Sequence, residues 1–143
     1  GDIQFLQADF AEEFNIHPDA IPSAVPGTVM SLSDDGDLVA SSTPYDSRVI
    51  GVIAGAGEYR PALVLDKKGG ENRMPVAMVG KVYCKASAQE APIRMGDLLT
   101  TSDITGHAVA VRDRANALGA VIGKALAPLD EGTGMIPVLV NLQ

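Results

Sequence analysis

The chain has no tryptophan, and aromatic residues supply only 4% of its 143 positions. Its core must therefore be filled by Val, Ile, Leu, Ala and Met. The same shortage leaves few flat side chains on which sugars or bases could stack. There is a single cysteine, Cys84, so no internal disulfide can form. Alternation in Lys81-Val82-Tyr83-Cys84-Lys85 places Val82 and Cys84 on one face and the other three on the opposite one, which makes Cys84 a small core residue rather than a nucleophile. The two histidines, His17 and His107, have no cysteine or second histidine beside them. A zinc site needs three or four such ligands, so neither a metal nor any other cofactor is expected. Lys and Arg number 11 against 18 Asp and Glu, for a net charge of -7. A chain so acidic repels phosphate backbones, and no nucleic-acid partner is expected. The one adjacent basic pair, Lys67-Lys68, precedes Gly69-Gly70 and reads as a solvated loop tip. No apolar run is long enough to cross a membrane as a helix, so no membrane partner is expected either.

What is present points to β-structure. Apolar residues make up 46% of the chain, which excludes disorder, and the length suits one domain, 1–143. Short Val/Ile-rich runs are punctuated throughout by Gly and Pro. Val29–Leu32 and Leu38–Ala40 flank an Asp35-Gly36 turn and predict a hairpin. Val76–Val79 and Lys81–Lys85 predict a strand pair, or one bent strand with Gly80 as its bulge.

Two stretches read as edited copies of one unit. The first runs from Gly27 through Val49-Ile50-Gly51-Val52-Ile53 to Pro61-Ala62-Leu63-Val64-Leu65. The second runs from Gly96 through Val121-Ile122-Gly123-Lys124-Ala125 to Pro137-Val138-Leu139-Val140. The expected fold is all-β with minor α. Two pseudo-repeated halves, about 27–65 and 96–141, would form a partly closed barrel or a clip-like sheet assembly. Helix is expected in two short places. Asp9–Asn15 would be a single turn capped by Asp9, with Glu12 three residues on, and Asp113–Leu118 would be capped by Asp113 and closed by Gly119. Gly1 leading directly into strand-like Asp2-Ile3-Gln4-Phe5-Leu6 reads as a piece cut from a longer protein. This piece would be its C-terminal domain, with the rest of the parent chain upstream.

Chemistry-bearing constellations are few. Asp34, Asp35 and Asp37 crowd one turn without the spacing of a calcium loop. Gly51, Gly55 and Gly57 follow a strand, but no helix follows them to bind a phosphate. Ser41-Ser42-Thr43 followed by Pro44-Tyr45-Asp46 reads as a loop, and no nucleophile elbow is present. Asp9 and Glu12, on one side of a short turn, are the one pair of carboxylates placed to share a proton, while Phe10, Ala11 and Phe14 would plug the barrel end.

The segment Asp9-Phe10-Ala11-Glu12-Glu13-Phe14 resembles the D-Y-A-E-x-F signature of the C-terminal autocleaving chaperone domains of phage pre-neck-appendage and tail-fibre proteins, with Phe10 in place of the tyrosine. The later blocks follow in similar order: the V-I-G-V-I strand, Pro75-Val76-Ala77-Met78-Val79-Gly80-Lys81-Val82, the Gly96–Gly106 segment and a closing strand. The ending Ile136–Gln143 is also similar to that of uncharacterised bacterial C-terminal domains. The resemblance implies a β-rich, trimer-associated domain at the end of a fibrous protein, virion-associated or bacterial. It also implies Asp9 and Glu12 as the residues of any self-cleavage. The expected function is structural: capping and oligomerising a longer fibrous or repeat-containing protein as a homo-oligomer, with a trimer favoured. Two alternatives remain, an autoproteolytic intramolecular chaperone and a small ligand- or glycan-binding module. As an enzyme the chain could only be a self-cleaving peptidase.

Overall fold

The structure, a computed structural model, describes residues 9–56, 63–65 and 72–143. They contain ten strands: β1 (Asp9–Asn15), β2 (Val29–Leu32), β3 (Leu38–Ala40), β4 (Val49–Ile53), β5 (Leu63–Leu65), β6 (Arg73–Ser87), β7 (Leu98–Thr101), β8 (Ala108–Ala110), β9 (Val121–Ala125) and β10 (Thr133–Asn141). Lys67-Lys68, Gly57 and the Pro61-Ala62 lead into β5 lie outside the described residues. The all-β expectation holds, and among the described residues helical structure is confined to 3-10 turns at Pro18–Ser23 and Arg114–Asn116. The second of these is the expected helix at Asp113, shortened. The Asp113 carboxylate accepts the Ala115 N–H at 3.1 Å and the Asn116 side-chain amide at 2.6 Å.

The other expected helix is overturned: Asp9–Asn15 is strand β1. All seven of its residues pair antiparallel with β6, from Asp9 opposite Gly80 to Asn15 opposite Arg73. Phe10, Ala11 and Glu12 also pair in parallel with Leu63, Val64 and Leu65 of β5. A capped turn satisfies one or two local donors, whereas a ladder on both sides satisfies most of the segment, so tertiary pairing overrides the local signal.

Strand β6 organises the molecule. Its second half closes a five-stranded barrel in the order β6-β10-β9-β7-β8, shut by the parallel pair Ala86–Ala108. Its first half closes a second ring, β1-β6-β4-β2-β3, shut by the parallel bridge Ile16–Leu38. The rings match register by register. Met30 pairs with Gly51 and Ala40 as Leu99 pairs with Gly123 and Ala110. Each ladder also slips at the same step, after Met30 and after Leu99. Loop hydrogen bonds repeat as well. Ile53 N–H to Thr28 and Ala125 N–H to Asp97 both span 2.9 Å. Ser41 N–H to Val29 and Val111 N–H to Leu98 both span 2.8 Å.

The pairings also show which strand completes the first unit. Gly51 and Gly123 are residues at which strands approach closely. A Cβ on Gly51 would run into the Ala77 carbonyl, and one on Gly123 into the Leu139 carbonyl. Opposite β4, then, stands Pro75-Val76-Ala77 of β6, where Pro137-Val138-Leu139 of β10 stands opposite β9. Leu63–Leu65 pairs instead with β1.

Each barrel has its own core. The first is filled by Ile16, Met30, Leu38, Ile53 and Val76, with Phe14 and Met74 packed against them. The second is filled by Val82, Cys84, Ile93, Leu99, Ile122, Ile136, Val138 and Val140. Ala11, Val29, Val52 and Ala77 belong to this second cluster although they sit on first-barrel strands, so the outer wall of barrel one is buried by barrel two.

Candidate functional site

The carboxylate pair singled out in the sequence lies on β1, with Asp9 opposite Gly80 and Glu12 opposite Val76. Three residues along a strand span roughly 10 Å, so the backbone sets these positions further apart than a helical turn does. Glu12 is half-buried. Cys84 is fully buried in the second core, and its Sγ–H points to the Lys85 carbonyl at 3.2 Å. Burial pushes its thiol pKa up to about 12, so it stays protonated and inert, a packing residue as its alternation indicates. Among the described residues no three of His, Cys, Asp and Glu converge where they could hold a metal ion. In the Asp34–Asp37 turn, Asp34 is engaged by Arg48 at 2.7 Å, and this contact and the neighbouring charge raise the guanidinium pKa.

Polar side chains gather where the two barrels meet. Tyr45 sits at φ 51, an unusual angle for a tyrosine, and its hydroxyl accepts N–H groups from Arg112 at 3.0 Å and Asp113 at 2.8 Å. Thr101 Oγ1 accepts the Asp46 N–H at 2.8 Å and donates to the Thr43 carbonyl at 2.6 Å. These bonds pin the first-barrel loop 43–46 to the second barrel around a cavity of about 80 Å³, small for an organic ligand. A larger groove of about 490 Å³ lies against β2 and β3. Three hydroxyls along it, Ser31, Ser33 and Ser41, are buried without a hydrogen-bond partner among the described residues.

The third surface is the outer face of β6, β10, β9 and β7. Directly opposed residues share a face. One row therefore runs Lys81–Leu139–Lys124–Leu98. Tyr83 with Pro137 and Lys85 with Met135 stand beside it. Its apolar members are open to solvent: Val79 is 52%, Met135 45% and Leu139 38% exposed. Three of the five lysines of this acidic chain lie here. The row is the register counterpart of Ala11–Ala77–Val52–Val29 on the first barrel, every member of which is fully buried. The Lys81/Tyr83/Lys85 alternation was legible in the sequence. What it abuts was not, because the face is assembled from four strands.

No family model and no curated protein matches the chain. What the geometry defines is a class of fold, a closed five-stranded barrel joined through one shared strand to a second ring of strands. A solved structure similar to it is the head fibre gp8.5 N base of bacteriophage phi29, with a TM-score of 0.38 and 18% identity over 94% of this chain and 90% of that one. At this score the likeness carries no function across, which must be argued from the chain's own surfaces.

Proposed function

We propose that this chain is a structural and assembly domain, the C-terminal part of a longer fibrous protein, which holds copies of that protein together with three copies favoured. The observation that carries this reading is the set of solvent-open apolar side chains on one wall of the second barrel, Val79, Met135 and Leu139. They stand on the rigid β6–β10 ladder, not on a loop. Exposed apolar side chains set among lysines on one sheet face suit a wall that another protein covers. The shared strand suits the role, since a load applied to one barrel passes through β6 to the other. Light scattering on the eluting peak of a sizing column is expected to give an oligomeric mass at tens of micromolar. A monodisperse monomer at that concentration overturns the proposal.

Self-cleavage through Asp9 and Glu12 is the weaker reading. Its support is the signature resemblance and the half-buried Glu12 carboxylate. The test joins the chain to its natural upstream segment and follows it by gel over days. An intact product that Asp9→Ala leaves unchanged removes the idea. A third reading rests on the Ser31, Ser33 and Ser41 hydroxyls, which a small polyhydroxylated ligand could engage. A panel of monosaccharides that leaves the melting temperature unmoved sets it aside.

A further inference from the structure

We infer that the outer face of the second barrel is a socket for the β2–β3 turn of another copy of this chain; the inference rests on the assembly reading above and names its interface. The molecule already contains one contact of this kind. On barrel one, the turn between β7 and β8 inserts beside the buried row: the Val29 N–H donates to the Gly106 carbonyl at 2.9 Å, and the Gly106 N–H donates to the Ser41 carbonyl at 2.7 Å. A Cβ on Gly106 would press on Thr28. The plug is thus the β7–β8 turn, and the socket is the edge formed by Val29 and Ser41.

Both halves of that contact have an unused twin. The counterpart of the plug is the β2–β3 turn, Ser33–Asp37. Gly36 there takes φ +87 as Gly106 takes φ +71, and a Cβ on Gly36 would meet nothing within 4 Å. The counterpart of the socket is Leu98 and Val111, joined by the same 2.8 Å bond that joins Val29 and Ser41. Among the described residues no turn bridges Leu98 and Val111. The two twins lie on different barrels of one chain, so the plug of one copy fits the socket of the next.

Charge favours this pairing and disfavours the socket meeting itself. The free plug carries Asp34 and Asp35, both exposed, together with Asp37, against one cation, Arg48, which pairs with Asp34 at 2.7 Å, so the turn stays net negative. The free row carries Lys81 and Lys124 on either side of Leu139 and no carboxylate. Two such rows face to face would oppose like charges, whereas plug and socket are complementary. A head-to-tail contact of this sort closes into a ring when its rotation allows, consistent with three copies. One carboxylate beside the socket is Asp97, which stands where Thr28 stands on barrel one and accepts the Arg94 N–H at 2.8 Å.

Sedimentation velocity on the purified chain tests the inference, with circular-dichroism melts confirming that each variant is folded. Lys81→Glu/Lys124→Glu in the socket and Asp34→Lys/Asp35→Lys in the plug are each expected to weaken self-association about tenfold or more. The two double variants mixed together are expected to reassociate. Asp97→Thr, which copies Thr28, is expected to tighten the contact. If the wild type is an oligomer and neither charge reversal changes its mass, the socket is wrong while the assembly reading stands. If the wild type is a monomer, both fall together.

Discussion

The two barrels have the same pairings and slips but fill them with different side chains. At the closing bridge, barrel one uses Ile16 and Leu38, and barrel two uses Ala86 and Ala108. At the equivalent ladder position barrel one has Ser31 and barrel two Thr100. On the outer row barrel one has Ala, Ala, Val and Val, and barrel two Lys, Leu, Lys and Leu. The backbone registers are therefore set by strand length, turn position and the two close-approach glycines, while core volume is met by local compensation. The outer row differs for another reason: one copy is covered by the chain itself, and the other faces outward.

The sharpest way to break the comparison is at the glycines. Gly51→Val and Gly123→Val each force a Cβ into a backbone carbonyl that has no rotamer to escape through, and each is expected to cost about 3 kcal/mol or more. Because β6 belongs to both barrels, either variant is expected to unfold in one chemical-denaturation transition. Two separate transitions would show that the barrels are energetically independent. The closing bridge comes next. Leu38→Ala should cost about 2–5 kcal/mol by leaving a cavity. The reverse change at the twin position, Ala108→Leu, should cost about 1–3 kcal/mol by overpacking. Equal, small losses at both sites would mean the two cores are not separately packed.

A smaller effect separates the hydroxyls. Thr100 Oγ1 donates to the Ala120 carbonyl at 2.6 Å inside barrel two, so Thr100→Val should lose about 1 kcal/mol. Ser31 Oγ is buried without a partner among the described residues, so Ser31→Ala should be neutral or slightly stabilising. The reverse ranking in urea melts would mean that the Ser31 hydroxyl is bonded in solution. The last effect is in pH and is absent at neutrality. Cys84 has no cysteine counterpart, since Phe14 stands at its position in barrel one. Its thiol shifts from 9.0 in the open chain to about 12 when buried. Below pH 9 the proton is held in both states and the thiol adds no pH dependence. Between 9 and about 12 the unfolded chain sheds it first, so stability falls as pH rises. Cys84→Ala should flatten that fall, as measured by denaturant midpoints across the range.

Much of this fold was legible in the sequence because it is local. The V-I-G strands, the Asp35-Gly36 hairpin, the Asp113 turn and the Lys81–Lys85 alternation all depend on neighbours a few residues apart. Non-local features were not legible. Asp9 and Glu12 carry a genuine capping spacing, yet the segment is a strand because β6, far along the chain, offers it a full ladder. Pro61-Ala62-Leu63 looked like the twin of Pro137-Val138-Leu139. The pairings give that place to Pro75-Val76-Ala77. The candidate surface was the least visible part. Its four strands come from across the second half of the chain, and only their pairings show that Lys81, Leu98, Lys124 and Leu139 occupy one row.

The sharing of β6 also has a consequence for synthesis. A ribosome that stops soon after Ser87 has released every strand of the first ring, which can then close. It has also released half of a fifteen-residue strand whose β10 neighbour does not yet exist. That bare edge is a template for any other extended segment. Premature termination in this region should thus produce sticky fragments rather than a small well-behaved barrel, and degradation of such fragments would be the cell's safer outcome.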